Sequence, residues 1–445
     1  MTELMARVVT AVVAAGILTG CAVRQPVTPN LTQDQVRTRT GQDVRPLDQK
    51  PDGSLPPGVD LTGGVTEEAA VAVALWNNGQ LAADLAALGL ARANLLEAGL
   101  LRNPSLQLLF PVGAKPFELA LTYPLEQFWQ RPRRVAAARA QWEQVAQGLV
   151  QNGLNTARDA RQAHAALLQA GQRVRIARES SDLQSGIAKI TQARLRAGDI
   201  GGAEAAVSQV DAAKAAEQLK TYEHDVAIAG ERLRFVMGLP AGSRLQASPS
   251  TLPPSSLPAV DELREKAWAD RPDLRAIEMS INAAAQRAKW EKSRLYALGA
   301  ILSSKESSAN GILTGPGVTA DIPVFRTTAG AVARADAEVE QAARQYIAQR
   351  QRVDLEVSQS RETLVQAQES LAEWRGRVLP PLAVAVDAAK RSYEAGDVSY
   401  LFVLETTRQM ADARLREADL EAMVRHARAE LDRSVGTRLM QGSKP

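Results

Sequence analysis

The tripeptide Ala-Gly-Asp occurs twice between long helical runs, as Ala197-Gly198-Asp199 and as Ala395-Gly396-Asp397. Glycine accepts the left-handed backbone that closes a helix, so each copy reads as a tight helix-to-helix turn. The two turns stand 198 residues apart. Downstream, each return helix closes at a glycine, Gly238 and Gly436, again 198 residues apart. Upstream, an extended segment ends in a proline at Leu121-Thr-Tyr-Pro124 and at Ala320-Asp-Ile-Pro323, 199 residues apart. Landmarks held in one register over half a chain make an internal duplication, and this limits the fold more than any other feature. Each half reads helix, strand, strand, long helix, turn, helix.

The duplication sets the boundaries. Residues 66–247 form the first repeat and 258–436 the second, joined by a Pro/Ser-rich connector at 248–257 and followed by a tail at 437–445. Aromatic residues are only 4% of the 445, which is low for large globular cores, whereas Ala, Gln, Arg and Glu suit long helices. Net charge is +3 with both signs interspersed, so nothing points to nucleic acid as a partner. His164, His224 and His426 are far apart on helical runs and read as packing or solvated residues, so no metal is expected. No nucleophile–base pair, metal cluster or phosphate loop has usable spacing, which argues against an enzyme and against a cofactor.

The start of the chain has its own logic. Val8 to Leu18 is an apolar run after Arg7, long enough for a signal-peptide core and too short to span a bilayer. It ends in Leu18-Thr19-Gly20-Cys21, which resembles the lipobox of bacterial lipoproteins. Residues 1–20 are therefore expected to be a signal peptide, and Cys21, the one cysteine, to carry a covalent lipid. Ala22 follows rather than aspartate, which fits sorting to the outer membrane. Residues 21–65 hold several prolines and little apolar sequence, so they read as an extended linker.

Two strands are expected after the first helix, Ser105 to Pro111 and Phe117 to Tyr123. The second alternates Phe117, Leu119, Leu121 and Tyr123 against Glu118, Ala120 and Thr122. Period two fits a half-buried soluble strand, the better reading of this strand taken alone, and it also fits a membrane strand with one face to lipid and one to a lumen. The second repeat offers a weaker pair, Leu298 to Ser303 and Val318 to Ile322, joined by a polar loop from Ser304 to Gly315. About four strands per chain leave open edges, and the smallest membrane barrels need about eight. Three chains would supply about twelve, so the arithmetic suggests a trimer.

Helical pattern runs from Pro132 to Arg196, about 95 Å at 1.5 Å per residue, and from Ala329 to Ala395 over a similar length. Return helices span Ile200–Met237 and Ser399–Val435. Thr66–Leu101 and Pro258–Leu295 have the size to fill the remaining length beside the long helices. Heptad-spaced apolar residues such as Val135, Trp142 and Leu149 suggest coiled-coil seams, and Pro380-Pro381 should kink or break the second long helix. The fold class expected is mainly α with a small β part.

With these landmarks in place, the chain resembles the TolC-like outer-membrane efflux protein family from about Thr66 to Leu439. The carriers are the duplicated architecture, Arg271-Pro272-Asp273-Leu274, Leu125-Glu126 after Pro124, the two Ala-Gly-Asp turns, and Tyr400-Leu401-Phe402-Val403-Leu404-Glu405. Tyr123-Pro-Leu-Glu126 with Arg133-Arg134 looks most like the heavy-metal and related resistance-nodulation-division branches. The resemblance implies a homotrimer: long α-helical coiled-coil hairpins forming a helical barrel in the periplasm, and a shared 12-stranded β-barrel in the outer membrane. Substrate would arrive from an inner-membrane pump through a periplasmic adaptor. Gly198, Asp199, Gly396, Asp397, Ser399, Tyr400 and Leu401 fall at the family's adaptor-facing tips. The family's acidic entrance matches Phe402 and Glu405 here. Glu405 keeps the charge, whereas Phe402 departs from it and either narrows the pore as an apolar ring or packs between helices. The competing class is a periplasmic coiled-coil scaffold lipoprotein with no pore. Two amphipathic hairpins at equivalent places in a duplication favour the duct.

Overall fold

The computed structural model describes residues 30–46, 49, 52–112, 116–242, 245–249, 251–252, 256–294, 297–307, 311–321, 329–395 and 397–439. The expected signal peptide, Cys21, Gly396, Ile322 and Pro323 lie outside the described residues. The chain divides into two compact units. One comprises Met1–Leu31, Ala87–Ala146 and Ala276–Tyr346, and the other Thr32–Ala86, Gln147–Arg275 and Ile347–Pro445.

The first unit holds the sheet. Strands β1 (Ser105–Leu109), β2 (Glu118–Pro124), β3 (Ala297–Ser307) and β4 (Gly311–Asp321) are all antiparallel, in the order β1-β2-β3-β4. Each repeat contributes one hairpin, and β2 pairs with β3 across the repeats, with Leu121 opposite Leu302. The register places Leu106, Leu108, Leu119, Leu121, Leu302 and Val318 on one face. The other face carries Gln107, Thr122 and Ser303, with Glu118 paired to Lys305 at 2.9 Å. The alternation legible in β2 extends to part of β1 and β3, but Ser304, Glu306 and Thr314 fall on the leucine face and Leu109, Ile301 and Leu313 on the other.

The second hairpin departs from expectation. The predicted polar loop from Ser304 to Gly315 is mostly strand, with the Ser304 and Thr314 hydroxyls 2.8 Å apart. Small residues such as Gly315 and Gly317 carry no apolar signal, while their backbone groups still fill the ladder.

Ten α-helices are described: α1 Asn30–Thr40, α2 Glu67–Asn77, α3 Gly79–Gly99, α4 Gln127–Ala197, α5 Gly202–Val236, α6 Val260–Asp270, α7 Pro272–Ser293, α8 Ala329–Glu373, α9 Leu379–Glu394 and α10 Tyr400–Val435. The 71-residue α4 starts five residues before Pro132, which removes the bond its own N–H would make and crowds the carbonyl of Phe128, near the helix start. Between α8 and α9 lies a π-helical turn, Trp374–Val378, where the Leu379 N–H reaches back to Trp374 O. Pro380 and Pro381 lack N–H groups, so the break falls where the sequence places it.

Two expected helices each split at a corner. Asn78 and Arg271 adopt nearly the same extended geometry, ψ 122° and 123°. Pro272 forces this on Arg271, because the residue before a proline avoids the α region. At the first corner Asn78 Oδ1 accepts from the N–H groups of Gln80 and Leu81, both at 3.0 Å, capping α3. Its Nδ2 donates to Val236 O at 2.9 Å. At the second corner Arg271 Nη1 donates to Ser434 O at 3.1 Å, the carbonyl 198 residues further on. Arg271, 1% exposed, also binds Asp273 through both branches of its fork and Glu356 at 2.7 Å. Burial opposes its charge, but Asp273 and Glu356 outweigh that and raise its pKa.

The N-terminal stretch is more ordered than the extended linker expected. Within the second unit, Val36 packs against Gly153 and is buried together with Thr32, Thr40, Val44 and Arg45. Arg39 Nη1 donates to Gly436 O at 3.0 Å and also to Asp270 O, at the second corner. Arg45 donates to Trp76 O at 3.0 Å and to Asn77 Oδ1 at 2.8 Å, at the first. Two arginines six residues apart thus hold equivalent corners of the duplication. Polar anchors do here what a hydrophobic core would otherwise do, so apolar patterning gives no warning of it.

The strap ends at Val65, whose carbonyl accepts from His164 Nε2 at 2.8 Å. His164 is fully buried, and its Nδ1 has no hydrogen-bond partner among the described residues. Burial lowers its pKa below 6.5, against the favourable effects of Val65 O, Glu67 and Glu68, and Arg425 lowers it further. The unfolded chain therefore binds the proton more readily. The contribution of His164 to stability is complete above pH 6.5 and falls as pH drops below it, with a slope of at most about 1.4 kcal/mol per pH unit. Thermal melts from pH 7.5 to about pH 5.5 should show a shallower decline for His164→Gln than for the wild type. Equal slopes would contradict this.

Candidate functional site

Gly198 has φ 80° with open space around its missing side chain. Asp199 N–H donates to Arg194 O at 2.9 Å, and Gly198 N–H to Leu195 O at 3.0 Å. That six-to-one bond is the Schellman closure of a helix end. In the second repeat Asp397 N–H donates to Ser392 O at 2.8 Å, the same bond 198 residues on. The residues that open the return helices also correspond. Gly201 and Ser399 are both extended N-caps, ψ 155° and 151°, without a side-chain capping bond. Tyr400 opens α10, and Phe402 N–H donates to Ser399 O at 3.0 Å.

On α10, Val403, Thr406 and Thr407 are buried, and both threonine hydroxyls bond back to their own helix. Leu401 and Phe402 point outward, 55% and 51% exposed, and Glu405 is exposed with an oxygen accepting from Gln409 at 2.9 Å. Phe402 and Glu405 are one helical turn apart on the same side. Within this chain Phe402 is therefore not a core residue.

The duplication adds two residues that sequence reading passed over. The 198-residue offset sets Glu204 against Phe402 and Val207 against Glu405. Each return helix thus carries one acid and one apolar residue three positions apart, in opposite order. Val207 is 51% exposed and Glu204 partly so. The offset itself was the available signal.

Ion pairs brace α4 to α10 behind the turns, Arg173 to Asp419 at 2.6 Å and Arg414 to Glu179 at 3.0 Å. Among the described residues no group of three or more His, Cys, Asp or Glu could hold a metal ion. Nor is any described helix long and apolar enough to cross a membrane.

Aromatic pairs bracket the apolar sheet face. Phe110 and Phe117 meet at 6.2 Å at one end, and Tyr123 and Phe128 at 6.1 Å at the end where the chain enters its helices. Membrane barrels carry an apolar band between aromatic girdles at both interfaces.

Residues 263–437 match the model of the outer membrane efflux protein family. The chain is 24% identical over 387 residues to the cobalt-zinc-cadmium resistance protein CzcC of Cupriavidus metallidurans, covering 85% of this chain and 91% of that protein. Its fold matches the solved structure of CusC with a TM-score of 0.68 at 18% identity, covering 88% of this chain and 99% of that one. It also matches the outer membrane protein VceC of Vibrio cholerae with a TM-score of 0.69 at 16% identity, covering 83% and 96%. With the duplication, the corners and the four-stranded sheet, these matches lead to one conclusion: residues 263–437 are similar to the outer membrane efflux protein family, and the chain has the fold of CusC and VceC.

Proposed function

We propose that this protein is the outer-membrane exit duct of a tripartite efflux system, passing substrates from an inner-membrane pump and a periplasmic adaptor to the exterior. The observation that carries the reading is the sheet, in which Leu106, Leu108, Leu119, Leu121 and Leu302 share one face and Gln107, Glu118, Thr122 and Lys305 the other, with β1 and β4 as open edges. Its strands alternate in direction, so β4 of one copy meets β1 of the next antiparallel. A homotrimer would close twelve strands into a barrel with no edge left. A lipid on Cys21 would anchor each chain in the outer membrane. A pore-free periplasmic scaffold leaves the apolar face without a purpose, so the duct is the better account.

The two turns are the proposed adaptor-facing tips, with Gly198, Asp199, Gly396, Asp397, Ser399, Tyr400 and Leu401 as the residues that would meet an adaptor. Phe402 and Glu405 are the proposed aperture. Three Glu405 carboxylates around an axis would attract cations, and three Phe402 rings would narrow the opening. Glu405→Gln should lower cation preference in planar-bilayer recordings while conductance persists. Unchanged selectivity would remove Glu405 from the pore lining. The reading itself is tested by whether the purified, acylated protein conducts in a bilayer at all.

A further inference from the structure

We propose that Arg102, Arg131 and Arg134 form a binding site for the anionic headgroups of the lipid leaflet at the helical end of the sheet. The inference rests on the barrel reading above. All three residues belong to the first unit, where β2 leads into α4 and α3 leads into β1. Arg131 Nε donates to Gly99 O at 2.7 Å, and Arg134 donates to Ala98 O at 2.8 Å and Leu100 O at 2.6 Å. These bonds fix both guanidinium groups at the end of α3 while using one donor of Arg131 and two of Arg134. A guanidinium has five.

Among the described residues, these charges have no carboxylate in direct ion-pair contact, and Glu97 acts on Arg134 only from a distance. Elsewhere in this unit Arg139 pairs with Glu143, Arg287 with Glu338 and Arg294 with Glu291. Among the described residues, no ion pair joins Arg102, Arg131 or Arg134 to an acid within 4.0 Å. Burial and the neighbouring Arg102 and Arg131 charges lower the pKa of Arg134, with Glu97 acting weakly the other way. Capping α3 needs no third cation, and Arg102 takes no part in it.

The surroundings say what kind of anion fits. Leu100 is 65% exposed and Phe128 62% exposed, with Leu101 and Trp129 beside them in sequence and also exposed. Through its contact with Tyr123, Phe128 extends the apolar face of the sheet. An apolar rim with an aromatic ring, two guanidinium groups held in place and Arg102 beside them matches the boundary between acyl chains and phosphates. A soluble phosphate would gain nothing from the apolar rim.

The test is native mass spectrometry of the full-length acylated protein from nanodiscs of phosphatidylcholine with and without phosphatidylglycerol. The wild type should retain phosphatidylglycerol in preference to phosphatidylcholine. Arg102→Gln, which leaves the α3 cap intact, should weaken that preference about fivefold, and Arg102→Gln with Arg131→Gln more strongly. Phe128→Ser should reduce retention of both lipids. Equal retention of the two lipids by the wild type, or a preference untouched by the double variant, would overturn the proposal. So would full competition by millimolar inorganic phosphate with no effect of Phe128→Ser. Conductance of the same samples separates the two ideas: a conducting protein without lipid preference sinks only the headgroup site, and a non-conducting one sinks the duct.

Discussion

Arg271→Ala is expected to destabilise the protein by about 3–5 kcal/mol. Arg271 is among the largest fully buried side chains, so truncation leaves a cavity. It also leaves Asp273 and Glu356 without their main cation in a part-buried site. Two contacts soften the loss, Gln349 on Asp273 at 2.8 Å and Arg433 on Glu356 at 3.0 Å. The repeat supplies an internal control. Asn78 occupies the equivalent corner with neutral groups, and Asn78→Ala should cost only about 1–2 kcal/mol, a lost cap and a lost bond to Val236 O. Denaturant midpoints of both variants decide the matter. A change below about 1 kcal/mol for Arg271→Ala would mean that the ion pairs do not hold the corner.

Gly238→Ala should be comparably severe, about 3–5 kcal/mol from left-handed strain and overpacking together. Gly238 has φ 62°, and an added Cβ would lie 2.1 Å from Asn77 O and 2.5 Å from Asn77 C. Those are backbone atoms of the first corner, so no side-chain rotation relieves the clash. At Gly436 the added atom meets Arg271 Cα at 3.1 Å, a tight but looser fit. At Gly198 φ is 80° and nothing lies within 4 Å, so only the conformational cost of about 1–2 kcal/mol applies. The expected order of damage is Gly238, then Gly436, then Gly198, read from thermal midpoints and folded yield. Gly198→Ala doing the most harm would reverse the argument and point to a tip that tolerates less than its open space implies.

These glycines also explain what could be read before the structure. A helix end that needs positive φ leaves a glycine in the sequence, so the duplication was visible at Gly198, Gly238 and Gly436. Strand β2 was visible because its apolar residues alternate. Strands β3 and β4 were not visible at full length, because Gly315, Gly317, Ser303 and Ser304 pair through backbone and small groups. The N-terminal strap was hidden for a different reason: Arg39 and Arg45 bind carbonyls, and carbonyls have no sequence signature. Arg271 stood out within Arg271-Pro272-Asp273-Leu274, but only the packing reveals that it is buried. At the candidate aperture the sequence marked Phe402 and Glu405 through resemblance. Their exposure on α10 leaves them for something outside this chain, which no single-chain pattern encodes.

Single-particle electron microscopy of the full-length, acylated protein in detergent tests the central claim most directly. A three-fold assembly whose detergent belt surrounds a closed twelve-stranded barrel is the predicted result. A monomer, or a two-fold rod with no belt around the strands, would contradict the duct and leave a lipid-anchored periplasmic scaffold in its place.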